Sequence, residues 1–147
     1  MKTMDMNIVI DRPVETVFAA LSDARSQPQW DPGLVEGRHD PEGPARLGTK
    51  ITEVRRFMGR TMITESELLE FELNKRLVRQ GGDPVLGRVT GILSFEARAS
   101  GTRVEWTWHL DMPGPKSLLE PIMGPIMRRQ AQGSLVHLKE MLESQET

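Results

Sequence analysis

Glu53 and Arg55 stand two apart in a run, 49–58, where Ile51 and Phe57 share their phase. Alternate residues of a strand face one way, so either this run carries a bulge or its inner face is partly polar. Turned inward, the pair could orient a ligand's hydroxyl or carboxylate, or do acid–base work with shifted pKa values. Ordinary burial statistics place charged side chains in water, and on that ground the pair is expected to point outward. Thr64 is the third candidate for moving protons. It shares one side of its run with Met62, Ser66 and Leu68, and hydroxyls facing an apolar interior need partners from neighbours, water or a ligand.

Three tryptophans add a second kind of chemistry. Trp106 and Trp108 fall on one face of a strand and offer a broad aromatic wall with two N–H donors that want partners. A stacked hydrophobic ligand and a simply filled core are both compatible with that wall. Trp30 closes a turn-rich segment and is read mainly as a plug between small helices and sheet. Nine methionines against no tyrosine is an unusual balance, and flexible thioethers suit an irregular pocket as well as ordinary core.

Other chemistry is poorly supported. There is no cysteine, which removes disulfides, thiol catalysis and thiolate metal sites. His39 falls in a run read as a loop, His109 on an outward phase and His137 off the terminal stripe, so no metal site is expected. Gly81-Gly82 is not followed by Gly-Lys-Ser/Thr and makes no phosphate loop. No cofactor is called for.

At 147 residues, with 37% apolar and 27% charged side chains, the chain suits one soluble domain over 1–147. A net charge of −2 with dispersed basic residues argues against a nucleic-acid partner. No apolar stretch approaches membrane-spanning length and no secretory leader is recognisable, so a cytoplasmic protein without integral membrane association is expected.

The elements that must position these residues follow from periodicity. A strand over 4–10 leads to a short helix with Asp11 as N-cap and Pro13 in its first turn, burying Val14, Val17, Phe18 and Leu21. A second short element ends at Trp30-Asp31-Pro32-Gly33. Residues 37–48 read as a loop. Five strand-like runs follow, 49–58, 60–71, 76–80, 87–97 and 102–110, joined as hairpins, with Gly81-Gly82-Asp83-Pro84 taken as a turn. Inward phases hold Gly91, Leu93 and Phe95 in one run and Val104, Trp106, Trp108 and Leu110 in the next. The C-terminal segment reads as a helix to about residue 144, with an irregular start at Pro121, Gly124 and Pro125. Its second half carries the stripe Ala131, Leu135, Leu138 and Leu142. Its first half is apolar all round, with Leu118, Leu119, Ile122, Met123, Ile126 and Met127.

Nearly the whole chain resembles the polyketide cyclase/dehydrase and lipid-transport group of the START-like helix-grip (SRPBCC) superfamily. The likeness lies in Ile10-Asp-Arg-Pro-Val-Glu-Thr-Val-Phe, Leu21-Ser-Asp, Trp30-Asp-Pro-Gly, Leu47-Gly-Thr, Gly101-Thr-Arg-Val and Leu135-Val-His-Leu-Lys-Glu-Met-Leu-Glu. The resemblance implies an α+β fold: a curved seven-stranded antiparallel sheet wrapped around a long C-terminal helix, with two short helices after strand one. It places a cavity between sheet and helix, its mouth at Gly59, Gly81-Gly82-Asp83 and Pro113-Gly114-Pro115. The expected lining is Trp30, Phe57, Met62, Thr64, Ser66, Leu93, Phe95, Trp106, Trp108, Ile122, Met123, Ile126 and Met127. Such a fold hosts unrelated functions. Three readings therefore stand side by side: a binder of a lipid, polyketide or aromatic metabolite; a cofactor-independent cyclase or dehydratase using Glu53, Arg55 or Thr64; and a protein-interaction module, docking or homodimerising through the apolar start of the last helix.

Overall fold

The computed structural model describes residues 2–57, 59–83, 87–111 and 114–145. The side chains of Phe57, Asp83, Leu119 and Met123, and all of Met58, Pro84 and Pro113, lie outside the described residues.

The chain starts with β1 (Lys2–Ile10), then α1 (Val14–Ser22) and a single 3₁₀ turn at Gln27–Gln29. It crosses to β2 (Leu34–Asp40) and meanders through β3 (Lys50–Phe57), β4 (Arg60–Glu72), β5 (Arg76–Asp83), β6 (Gly87–Arg98) and β7 (Gly101–Asp111). A 3₁₀ segment, Gly114–Leu119, leads into α2 (Glu120–Ser144). The sheet order is β1-β7-β6-β5-β4-β3-β2 with every pair antiparallel, so the first two strands form its two edges.

Four expectations need correction. The second short helix is only a three-residue 3₁₀ turn. The N-cap of α1 is Pro13, without a side-chain cap; the Asp11 backbone N–H instead donates to Glu143 near the end of α2. Of the run 37–48 read as a loop, residues 37–40 instead belong to strand β2. A register shift between Leu34 and Glu36 breaks its alternation, and beyond buried Leu34 its inward positions hold Gly37 and His39 rather than apolar side chains. Gly37 must lack a side chain, because a Cβ there would lie 2.0 Å from the Ala24 carbonyl oxygen. His39 clamps the same approach: its Nε2 accepts from the Ala24 N–H at 3.1 Å, so its Nδ1 donates to the Gly43 carbonyl at 2.8 Å. Gly81-Gly82-Asp83, read as a turn, continues β5.

The core lies between the sheet and the helices. The Ala131, Leu135, Leu138 and Leu142 stripe of α2 is buried there, as its helical spacing requires, against Ile10, Val104 and Trp106. Phe18 of α1 meets Phe71 and Phe95 edge-on at 5.5 and 5.0 Å, filling one end with an aromatic cluster. No helix among the described residues is long and apolar enough to cross a membrane.

Candidate functional site

The remainder of the sheet–helix interface is open. A cavity of about 170 Å³ lies over β3–β7, beneath Met127, Ala131 and Ser134 of α2. Its apolar wall comes from the inward phase of successive strands: Met62, Leu68, Leu77, Leu93, Trp106 and Trp108. Register explains why the space exists. Gly91 on β6 is paired with Arg79 on one side and Trp108 on the other, and as an inward position without a side chain it leaves room beside the indoles. Trp106 and Trp108 stand edge-on, their ring centroids 5.0 Å apart.

The opposite wall is polar, built from charges that three elements bring together. Glu53 and Arg55 both turn inward, against the expectation from burial statistics. Glu53 is only 6% exposed. The run is regular over these residues, pairing Glu53 with Thr64 and Arg55 with Met62, so its inner face is polar and no bulge is needed. Partners remote in sequence make this burial tolerable. Arg55 donates twice to Asp31, Nη2 to Oδ2 at 2.8 Å and Nη1 to Oδ1 at 3.2 Å. Gln27 Nε2 and Ser134 Oγ each donate to Asp31 at 3.0 Å, saturating its carboxylate. Arg79 Nη2 approaches Glu53 Oε1 at 2.9 Å, while Arg55 lies 3.7 Å from Glu53 Oε2.

These contacts set the protonation of the network. Burial pushes the Asp31 carboxyl upward, but the Arg55 bonds and charge, with Gln27 and Ser134, outweigh it and hold Asp31 below its ordinary value. Burial likewise disfavours the Arg55 cation, yet Asp31 and then Glu53 raise its pKa overall. The four buried or half-buried charges, Asp31, Glu53, Arg55 and Arg79, cancel. Two side-chain atoms of these lining residues, Glu53 Oε2 and Trp30 Nε1, are enclosed by protein and have no hydrogen-bond partner among the described residues.

Of the residues expected to line the cavity, Trp30, Met62, Thr64, Ser66, Leu93, Trp106, Trp108 and Met127 do so, together with Glu53 and Arg55. Trp30 is both plug and wall, 3% exposed within the core while bordering the cavity. Phe95 does not reach it, because it packs on Phe18 at the far end of the core. Ile122 and Ile126 do not reach it either. They sit on the outer side of α2, 60% and 37% exposed. The Phe57 and Met123 side chains lie outside the described residues. At the expected mouth Gly81 and Gly82 border the cavity, whereas Gly59, Gly114 and Pro115 do not. Sequence reasoning missed Asp31, Arg79, Gln27 and Ser134. The phase of Arg79 with buried Leu77 was the available signal.

A curved antiparallel sheet closed by a long C-terminal helix over an internal cavity defines a helix-grip protein. A family model described as polyketide cyclase/dehydrase and lipid transport matches residues 1–143, and the chain belongs to that family. No curated protein matches it. Among solved structures it is similar to TTHA0849 from Thermus thermophilus, with 19% identity, 98% of this chain and 100% of that one covered, and a TM-score of 0.81. It is also similar to NE0264 from Nitrosomonas europaea, at 21% identity, with 96% and 94% covered and a TM-score of 0.75. Likeness at such identity establishes the fold alone.

Proposed function

We propose that residues 1–147 form a single ligand-binding domain that takes one small, mostly apolar molecule into the cavity between sheet and α2. Support comes from a space of about 170 Å³ walled by indoles, leucines and methionines beside a fixed polar network. The volume supports one of the ligand classes over the others. An apolar cavity of about 150 Å³ takes up benzene, so one substituted ring is the matching size and a two-chain lipid is far too large. An aromatic metabolite is therefore favoured over a lipid or an extended polyketide. The family's description agrees with a hydrophobic ligand without naming one.

Thermal-shift measurements with p-xylene test this reading. A ligand that binds only the folded state raises Tm, its stabilisation growing as RT ln(1 + [L]/Kd). The rise is expected for the wild type and should vanish in Gly91→Leu. A Cβ at Gly91 meets Trp106 Nε1 at 3.6 Å and Trp108 Cδ1 at 3.9 Å, ordinary contacts, so a leucine side chain there enters the cavity. An unchanged rise in that variant would place binding elsewhere and defeat the proposal.

The enzyme reading keeps Glu53, Arg55 and Thr64 on one wall, and turnover of a bound substrate that survives Glu53→Gln would remove it. The interaction reading is favoured by one observation, the exposure of Leu118 at 79% alongside Ile122. Light scattering tests it: a homodimer that dissociates on Ile122→Asp supports an interface there, and a monomer unaffected by the change does not.

A further inference from the structure

Resting on the cavity-binding reading, we propose that the ligand carries a neutral acceptor oxygen, as a small aryl ketone or aldehyde does, and that the Trp106 indole N–H donates to it over Gly91. Three observations put that donor at the cavity. Trp106 is 8% exposed and lines the cavity wall. Its Nε1 has no hydrogen-bond partner among the described residues, yet it is not one of the unpartnered atoms that protein encloses, as Glu53 Oε2 and Trp30 Nε1 are. The position that a Cβ of Gly91 would take lies 3.6 Å from Trp106 Nε1 and 3.9 Å from Trp108 Cδ1. One point of the cavity is therefore flanked by both indoles, by the nitrogen of one and the pyrrole edge of the other.

The chemistry around that point selects an acceptor. An indole nitrogen can only donate, and a donor this deeply buried is costly to leave open. The edge of an aromatic ring is its electropositive part, so Trp108 Cδ1 also favours an oxygen over a second N–H or O–H. A hydroxyl would bring a proton that needs an acceptor of its own. Of the three atoms nearest the point, outside Gly91 and its chain neighbours, only the Arg79 carbonyl oxygen could take it, and that atom is 3.9 Å away in the backbone of β5. A carboxylate fares worse. Arg55 and Arg79 are already paired with Asp31 and Glu53, so an anion would lie unpaired between two indoles. A ketone or aldehyde oxygen on a single ring meets the donor without these costs.

Acetophenone and α-methylstyrene are nearly equal in shape and differ by an oxygen in place of a methylene group. Both are titrated calorimetrically into the full chain and into Trp106→Phe. Loss of the N–H should lower the ratio of acetophenone to α-methylstyrene affinity by about threefold or more, the scale of one hydrogen bond. Lost packing weakens both probes and leaves that ratio alone. In ¹H–¹⁵N spectra of the wild type, the assigned Trp106 indole resonance should lie further downfield with acetophenone than with α-methylstyrene. That measurement needs no variant, so it decides the matter if Trp106→Phe does not fold. A ratio unchanged in Trp106→Phe, or an indole resonance that the two probes move alike, would overturn the carbonyl assignment and leave the cavity reading standing. Binding of neither probe would overturn the cavity reading itself, and this assignment with it.

Discussion

Replacing Arg55 with methionine is the sharpest perturbation of the polar wall. Methionine keeps most of the side-chain volume and removes only the guanidinium, so the change isolates charge from packing. Asp31 then loses two of its four hydrogen bonds and its ion-pair partner, while its side chain, 6% exposed, stays out of water. Removing one partner of a buried ion pair costs about 3–5 kcal/mol. Because the Arg55 side chain is 26% exposed, the lower end applies, about 3 kcal/mol. For a domain of this size that lowers Tm by roughly 6–12 °C. In the double variant Asp31→Asn/Arg55→Met the uncompensated charge is gone and the Gln27 and Ser134 contacts can persist. Its loss should therefore fall short of the sum of the single changes by about 1.5 kcal/mol or more. Urea unfolding of the four proteins, with unchanged m-values, measures the cycle. A cost below about 1 kcal/mol for Arg55→Met, or strict additivity, would refute a buried, coupled network.

Acid titration probes the same carboxylate. The folded pKa of Asp31 lies below its unfolded value of about 3.9, so its contribution to stability is present above that value and fades as pH falls through the lowered folded pKa. The urea midpoint should decline less steeply below about pH 4 in Asp31→Asn than in the wild type; parallel slopes would contradict the assignment. Gly37→Ala should cost about 2 kcal/mol or more, since its Cβ would sit 2.0 Å from the Ala24 carbonyl oxygen, whereas Gly91→Ala should be nearly neutral. Thermal melts of the two alanine variants decide this, and equal losses would contradict it. Leu135→Ala, at a site 1% exposed in the α2 stripe, should lose about 2–5 kcal/mol in denaturant unfolding. A loss under about 1 kcal/mol would mean that α2 does not seal the core.

Much of the fold was legible because apolar side chains alternate cleanly where one sheet face is buried. Val104, Trp106 and Leu110 announce β7, and the spacing of Ala131, Leu135, Leu138 and Leu142 announces the gripped helix. β2 was illegible for the same reason in reverse, since Gly37 and His39 occupy its inward positions and a register shift interrupts its phase.

The site was half legible. The phase of Glu53 and Arg55 with Ile51 was visible, but burial statistics overruled it, because the partners that neutralise them come from a turn at Asp31 and from β5 at Arg79. Such pairing is set by strand order, which local periodicity does not encode. Ser134 shows the same gap: the helix stripe marks the buried side of α2, yet only the tertiary arrangement brings that hydroxyl to Asp31. Ile122 and Ile126 failed in the other direction. Their apolarity suggested the cavity, and the helix turns them outward.

Whether this domain holds one small apolar molecule beneath α2 is decided by calorimetric titration of p-xylene into the wild type and Gly91→Leu. One molecule per chain with a negative heat-capacity change is expected for the wild type, and no binding when leucine fills the space. No binding by the wild type, or undiminished binding by Gly91→Leu, would contradict a cavity-bound ligand.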